Sequence, residues 1–176
     1  MINPENHQAF RGRGLSYLRM GRIERAISDF DKAGEELGPY REEKFPGWSG
    51  YLDWSKAHDI YTEANSLLQA GSYQEAIVKY TQALSIYPPY PQCLHNLAIA
   101  LDKTGEHDAA AQRCIEAISY RDGDWKFWKT LSLELYAQGK YLFALKAMEH
   151  ARELNPPVPE EVEIIESLDK IRSSLR

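Results

Sequence analysis

The segment QAGSYQEAIVKYTQALSIYP, residues 69–88, decides the fold because related segments follow it at a constant spacing. KTGEHDAAAQRCIEAISYRD begins at residue 103 and AQGKYLFALKAMEHARELNP at residue 137, so consecutive copies start 34 residues apart. The copies share a glycine column and an alanine column, which hold Gly71, Gly105 and Gly139, and Ala76, Ala110 and Ala144. A fixed period of this length indicates a stacked array of small repeated units.

Each unit predicts two helices, one on either side of its glycine. Around Gly71, apolar residues recur at three- and four-residue spacing, as an amphipathic helix requires: Ile60, Ala64, Leu67 and Leu68 precede the glycine, and Tyr73, Ala76, Ile77, Tyr80, Ala83 and Leu84 follow it. Glycine and proline are helix stop signals, so Gly71 ends the first helix and Pro88 ends the second. Ala64 and Ala76 are small enough to let the two helices approach closely. The unit is therefore predicted to be a helical hairpin.

These columns resemble those of the tetratricopeptide repeat family, and the unit at residues 125–158 matches them most fully, with Trp128, Leu131, Ser132, Leu135, Gly139, Tyr141, Ala144, Met148, Ala151 and Pro156. The resemblance implies an all-α protein, a right-handed α-solenoid of four helical hairpins at residues 7–40, 57–90, 91–124 and 125–158. Residues 159–176 carry an apolar stripe of Ile164, Ile165, Leu168, Ile171 and Leu175, which suits a helix that caps the last repeat.

The first repeat is separated from the second by an insert. Gly21 lies 50 residues before Gly71, one period plus 16 residues, and the insert is assigned to residues 41–56. Its proline and glycine content predicts a loop, followed by a helix that begins near Tyr51 and packs Trp54 inward. Residues 1–6 leave two interpretations open, because Pro4 either marks the remnant of a preceding repeat or stiffens a native start.

Composition and charge exclude several classes of partner. The net charge of −5 and the isoelectric point of about 5.6 argue against nucleic acid or an anionic membrane as the main partner. No apolar run reaches the length of a membrane span, and the opening residues lack signal-peptide character. If Met1 is the native start, we expect a cytoplasmic protein. Cys93 and Cys114 fall on packing columns, so we expect them to be reduced core residues.

Sequence patterns for catalysis, metals and cofactors are lacking. The five histidines, His7, His58, His95, His107 and His150, are scattered, without the helical spacing that places two ligands on one face. No glycine-rich phosphate loop follows a strand, and acidic pairs such as Glu160 and Glu161 suit solvated helix starts. We therefore predict a protein that is not an enzyme and that uses no metal or cofactor.

The remaining candidate is the concave groove that the family builds from the first helix of each repeat. The resemblance implies that a partner peptide or protein segment binds there, and the candidate residues are Arg11, Tyr61, Asn65, His95, Asn96, Ile99, Lys126, Lys129 and Leu133. Amides and lysines bind carboxylates and peptide backbone, while the apolar members offer packing.

One subgroup of the family binds the acidic C-termini of heat-shock chaperones through a five-residue carboxylate clamp. Asn65, Asn96 and Lys126 match that pattern, whereas Tyr61 and Thr130 stand where it has lysine and arginine. An acidic or C-terminal carboxylate segment is thus one predicted partner, and ordinary groove packing is the alternative for the two asparagines. A second candidate interaction site is the aromatic row Trp48, Tyr51 and Trp54 in the insert, for which packing is also the alternative.

The sequence therefore predicts a non-catalytic protein-interaction scaffold or adaptor. Two alternatives stay open, namely an accessory or regulatory domain of a larger enzyme or secretion component, and a module that self-assembles through exposed end helices.

Overall fold

The structure is a computed structural model. It describes residues 9, 10, 12–14, 16, 17, 20–37 and 47–175, with all their side chains except those of residues 30, 31, 33–37 and 47–52. Every regular element in these residues is an α-helix, as predicted. The chain divides into two compact units, which we call the central unit, Glu42–Tyr120, and the terminal unit, Met1–Arg41 with Arg121–Arg176.

The central unit contains two helical hairpins. Helices α2 (Gly47–Gln69) and α3 (Tyr73–Ile86) form the first, and α4 (Pro91–Lys103) and α5 (His107–Tyr120) form the second. Helix α3 also packs against α4, which joins the hairpins. Because α2 and α4 are the first helices of successive hairpins and also contact each other, they share one face of the unit, the α2–α4 face.

Glycine is required at the hairpin turns by backbone conformation. Gly105 has φ of +81°, and the Glu106 amide donates to the Leu101 carbonyl at 2.9 Å, which closes the end of α4. A Cβ atom on Gly105 would meet nothing within 4 Å, so the left-handed φ, and not lack of space, selects glycine. At the next turn Gly139 has φ of +73°, and the Lys140 amide donates to the Leu135 carbonyl at 2.9 Å. The same turn therefore recurs 34 residues later in the sequence.

Small residues stand where the helices of each hairpin cross. In the central unit Ala64, Ala76, Ala98 and Ala110 are completely buried. In the terminal unit Ser132 occupies the column of Ala98, and its hydroxyl donates to the Ala144 carbonyl at 2.6 Å. A side chain of one helix therefore touches the backbone of the other, which leaves no room for a larger residue.

The insert differs from its prediction. Residues 47–56 are helical and belong to α2, which is 23 residues long. The helix begins before Tyr51, so the expected loop is wrong over residues 47–50. Helix starts tolerate proline and glycine, which explains why these residues misled the prediction. The side chain of Trp54 is half-buried and stacks on His58 one turn later. Residues 1–6 and 41–46 lie outside the described residues.

The terminal unit contains α1 (Ile23–Leu37), α6 (Trp125–Ala137), α7 (Tyr141–Glu153) and α8 (Val158–Ser173). Helices α6 and α7 form a hairpin, and α7 also packs against α8 and α1. Lys146 of α7 forms an ion pair with Glu24 of α1, and Gly21 lies beside the Phe143 ring. No sequence feature predicted this contact between the first and the fourth repeats.

Helix α8 caps α7 with part of the predicted stripe. Ile164, Leu168 and Ile171 are buried, whereas Ile165 and Leu175 are 39% and 45% exposed, so these two do not belong to the packed face. None of the helices in the described residues combines the length and hydropathy that a membrane span needs.

Candidate functional site

The candidate site in the central unit lies on the α2–α4 face, where two asparagines bridge the helices. Asn65 of α2 and Asn96 of α4 are both partly exposed, and the Asn96 Nδ2 atom donates to the Asn65 Oδ1 atom at 2.8 Å. Asn96 Nδ2 also donates to the Tyr61 hydroxyl at 3.1 Å. The structure thus brings together three of the residues predicted for the groove.

Tyr80 completes what we call the amide network, which consists of Tyr61, Asn65, Tyr80 and Asn96. The Tyr80 hydroxyl donates to Asn65 Oδ1 at 2.7 Å, and the side chain is completely buried. Burial raises the pKa of Tyr80 above its ordinary value near 10, so the hydroxyl stays protonated at physiological pH. Asn65 Oδ1 therefore accepts two hydrogen bonds, one from Asn96 and one from Tyr80.

A ring cluster of Trp54, His58, Tyr61 and Tyr90 adjoins the network through Tyr61. The Trp54 and His58 rings stack with centroids 4.9 Å apart, and the Tyr61 and Tyr90 centroids are also 4.9 Å apart. His58 Nδ1 and the Tyr90 hydroxyl lie within hydrogen-bond distance, at 2.8 Å. Rings from α2 and from the start of α4 thus form a continuous aromatic wall beside the amides.

Sequence reasoning assigned only part of this site. Tyr90 was missed because it precedes α4 and lies outside the family's groove columns, and Tyr80 was assigned only to packing. Their spacing offered a usable signal, since Tyr90 is 32 residues after His58, close to the 34-residue period that brings successive first helices together. His95 and Ile99 lie on α4 with partly exposed side chains.

The cysteine beside this site is a buried core residue. Cys93 is completely buried, and its thiol donates to the Tyr80 carbonyl at 3.5 Å. Burial raises the pKa of Cys93 to about 12, so the thiolate that a nucleophile or metal ligand requires does not form at neutral pH. This agrees with the predicted structural role.

The other predicted groove residues lie on α6 in the terminal unit. Lys129 forms an ion pair with Glu163 of α8, and the lysine lowers the pKa of that carboxyl group. Lys126 is exposed, and its Nζ atom lies 5.7 Å from the centroid of the Trp125 ring. Leu133 is 43% exposed. Of the two lysines predicted to bind a carboxylate, Lys129 already holds one supplied by the protein.

Some predicted positions lie outside the described residues. Arg11 is one of them, and the side chains of Trp48 and Tyr51 are not described, although their backbone is helical within α2. Trp54 is described, and its ring stacks on that of His58.

Comparisons with known proteins agree with the hairpin architecture. The sequence model of the tetratricopeptide repeat matches residues 67–131. The chain is 35% identical over 90 residues to the "Heat-shock protein cognate (HSC) co-chaperone sgt12" of Aspergillus fumigatus, a match that covers 51% of this chain and 26% of that protein. It is 32% identical over 93 residues to the "Small glutamine-rich tetratricopeptide repeat-containing protein 2" of Saccharomyces cerevisiae, covering 53% and 27%. The chain therefore spans about a quarter of the length of these relatives.

Solved structures of tetratricopeptide domains also resemble this fold. The first tetratricopeptide domain of Spaghetti (RPAP3), bound to the HSP90 peptide SRMEEVD, matches with a TM-score of 0.65 and 26% identity, over 69% of this chain and 94% of that chain. The Sgt2 tetratricopeptide domain from Aspergillus fumigatus matches with a TM-score of 0.63 and 28% identity, over 68% and 79%. The predicted fold class, an α-solenoid of tetratricopeptide hairpins, is confirmed.

Proposed function

The chain belongs to the tetratricopeptide repeat family, and we propose that its α2–α4 face binds an extended acidic segment of a partner protein without catalysis. The observation that carries this proposal is the amide network. Its amides are hydrogen-bonded to each other and to tyrosines and are partly exposed, so they offer polar contacts to a ligand without having to be ordered on binding. The adjoining ring cluster supplies apolar surface for the partner's side chains.

The acidic character of the partner is supported by the relatives. One related domain is described in complex with an HSP90 peptide ending in EEVD, and one sequence relative is a heat-shock cognate co-chaperone. We therefore propose that this chain acts as an adaptor for segments of the same kind. A cytoplasmic localisation is part of the same proposal.

Lys126 is a second proposed contact, on the terminal unit. It has no ion-pair partner among the described side chains, whereas Lys129 is paired with Glu163. A carboxylate bound by Lys126 does not have to displace one that is already there, and charge-assisted bonds are stronger than neutral ones. Lys126 is therefore the better candidate of the two for an acidic side chain.

Fluorescence polarisation with N-terminally labelled SRMEEVD tests the proposal. We expect the wild-type protein to bind and Asn96→Ala to bind about 2- to 12-fold more weakly, because one hydrogen bond of about 0.5–1.5 kcal/mol is lost. Gln112→Ala is the matched control, since it removes a carboxamide from the exposed face of α5. Circular dichroism checks that both variants remain folded.

Two results would reject this function. The first is a wild-type protein that does not bind the peptide at all. The second is equal affinity for the wild-type, Asn96→Ala and Gln112→Ala proteins, which would move the binding site away from the α2–α4 face.

A further inference from the structure

We propose that the outward-facing ends of Asn65 and Asn96 bind the N–H and the C=O of one residue of an extended partner segment, and not a carboxylate. This inference rests on the proposed function and specifies the ligand group that the α2–α4 face takes. It follows from counting the hydrogen bonds that the two side-chain amides have already made to each other and to the tyrosines.

Asn96 has used all of its donors. A carboxamide has two N–H bonds and one oxygen acceptor. Both N–H bonds of Asn96 are directed at acceptors, one at Asn65 Oδ1 and one at the Tyr61 hydroxyl. The outward-facing end of Asn96 is therefore Oδ1, which only accepts.

In Asn65 the acceptor is already occupied and the donors are not. Its Oδ1 atom accepts from Asn96 and from Tyr80, which occupies both lone pairs. Its Nδ2 group has two N–H bonds and no acceptor among the described side chains. The pair as a whole thus presents one donor group and one acceptor side by side.

This pattern does not depend on which way the amides are turned. If both amides rotate by 180° about χ2, Asn65 donates to Asn96, Tyr61 donates to Asn96 and Tyr80 accepts from Asn65. The outward-facing ends then exchange roles, with Asn96 as donor and Asn65 as acceptor. As long as one amide is bonded to the other, the pair offers one N–H group and one C=O group.

A carboxylate does not fit such a pair. It is acceptor-only when ionised, so one of its oxygens would face the free oxygen of an asparagine. Tyr61, which stands where the chaperone clamp has lysine, brings no positive charge to offset that repulsion. Binding a carboxylate with both amides would require breaking the Asn65–Asn96 bond.

The N–H and C=O of one residue do fit, because together they bring one donor and one acceptor. In an extended peptide the N–H and C=O of one residue point to the same side, as in the hydrogen-bonded pairs of antiparallel strands. An Asn or Gln side chain offers the same two groups. SRMEEVD contains neither residue, so a tight complex with that peptide can use only its backbone.

Two mutant cycles on the labelled peptide test the inference. The first cycle combines amidation of the peptide's C-terminus with Asn65→Ala. The second combines N-methylation of each internal residue in turn with Asn96→Ala and with Asn65→Ala, because the acceptor lies on Asn96 in one amide arrangement and on Asn65 in the rotated one. Gln112→Ala on α5 serves as the control protein in both cycles.

We expect N-methylation at one internal residue to weaken binding at least tenfold in the wild-type protein and less than twofold in one of the two variants, Asn96→Ala or, with rotated amides, Asn65→Ala. Amidation should change the affinity by the same factor, within twofold, in the wild-type protein and in Asn65→Ala.

If the pair binds the terminal carboxylate instead, amidation weakens binding only in the wild-type protein. That result overturns the inference while the proposed function stands. Coupling with no N-methylated residue also overturns it. If the wild-type protein binds none of the peptides, the proposed function fails and the inference fails with it.

Discussion

Replacing Ala110 with leucine tests the close approach of the two helices in each hairpin. Ala110 of α5 and Ala98 of α4 are both completely buried. At the same two columns of the terminal unit, the Ser132 hydroxyl touches the Ala144 carbonyl at 2.6 Å. Three added carbons have no space at such a crossing, so we expect Ala110→Leu to lower the free energy of unfolding by about 1–3 kcal/mol. Helix propensity does not offset this cost, because alanine and leucine are both strong helix formers.

Urea unfolding followed by far-ultraviolet circular dichroism measures the effect. With a dependence on urea of about 2 kcal/mol per molar, a loss of about 2 kcal/mol moves the midpoint down by about 1 M. Gln112→Leu adds a leucine to an exposed position of the same helix and serves as the control. Its midpoint should shift by less than about a quarter of 1 M urea, because surface substitutions stay within about 0.5 kcal/mol. Equal midpoints for Ala110→Leu and Gln112→Leu would refute the close crossing and the repeat register behind it.

Three further predictions follow from the polar contacts. Tyr80→Phe removes one donor to the amide network while keeping the buried ring, and it should cost about 0.5–1.5 kcal/mol of unfolding free energy, measured by urea titration. The Arg13 guanidinium holds the pKa of Asp29 below its ordinary value, so the stabilisation is present at neutral pH and is lost as the pH falls through the folded pKa. Asp29→Asn should therefore flatten the acid side of the stability profile below about pH 4, and an unchanged profile would contradict this. In the terminal unit, Lys126→Ala should weaken the binding of an acidic peptide to that unit and make it less salt-dependent, whereas Arg25→Ala should not; equal losses from both variants would indicate only general electrostatic attraction.

The hairpins were predictable because their determinants are local and periodic. A turn glycine with a left-handed φ, such as Gly105, has a sequence signature, and so does a small residue at a crossing, such as Ala110. The family pattern also identified Asn65 and Asn96 as neighbours on successive first helices. In these cases, the 34-residue period carries the spatial information.

The amide network was not predictable from the same signals. Whether Asn96 donates to Asn65 depends on the stagger of two helices to within a fraction of an ångström, and the sequence does not encode that distance in any pattern. The pairing of Lys129 with Glu163 was missed for a similar reason, although the 34-residue separation of the two residues was a usable clue. The loop predicted before a helix near Tyr51 was wrong over residues 47–50, because the turn-forming residues Gly47 and Gly50 lie at the start of α2.

Nuclear magnetic resonance of the side-chain amides tests the central claim most directly. The NH₂ signals of Asn65 and Asn96, assigned through their alanine variants, are followed while unlabelled SRMEEVD is added to ¹⁵N-labelled protein. If the α2–α4 face binds the peptide, both signals shift along one saturation curve that matches the affinity from fluorescence polarisation, while the signal of Gln112 stays in place. Saturating peptide that leaves the Asn65 and Asn96 signals unmoved would contradict the account.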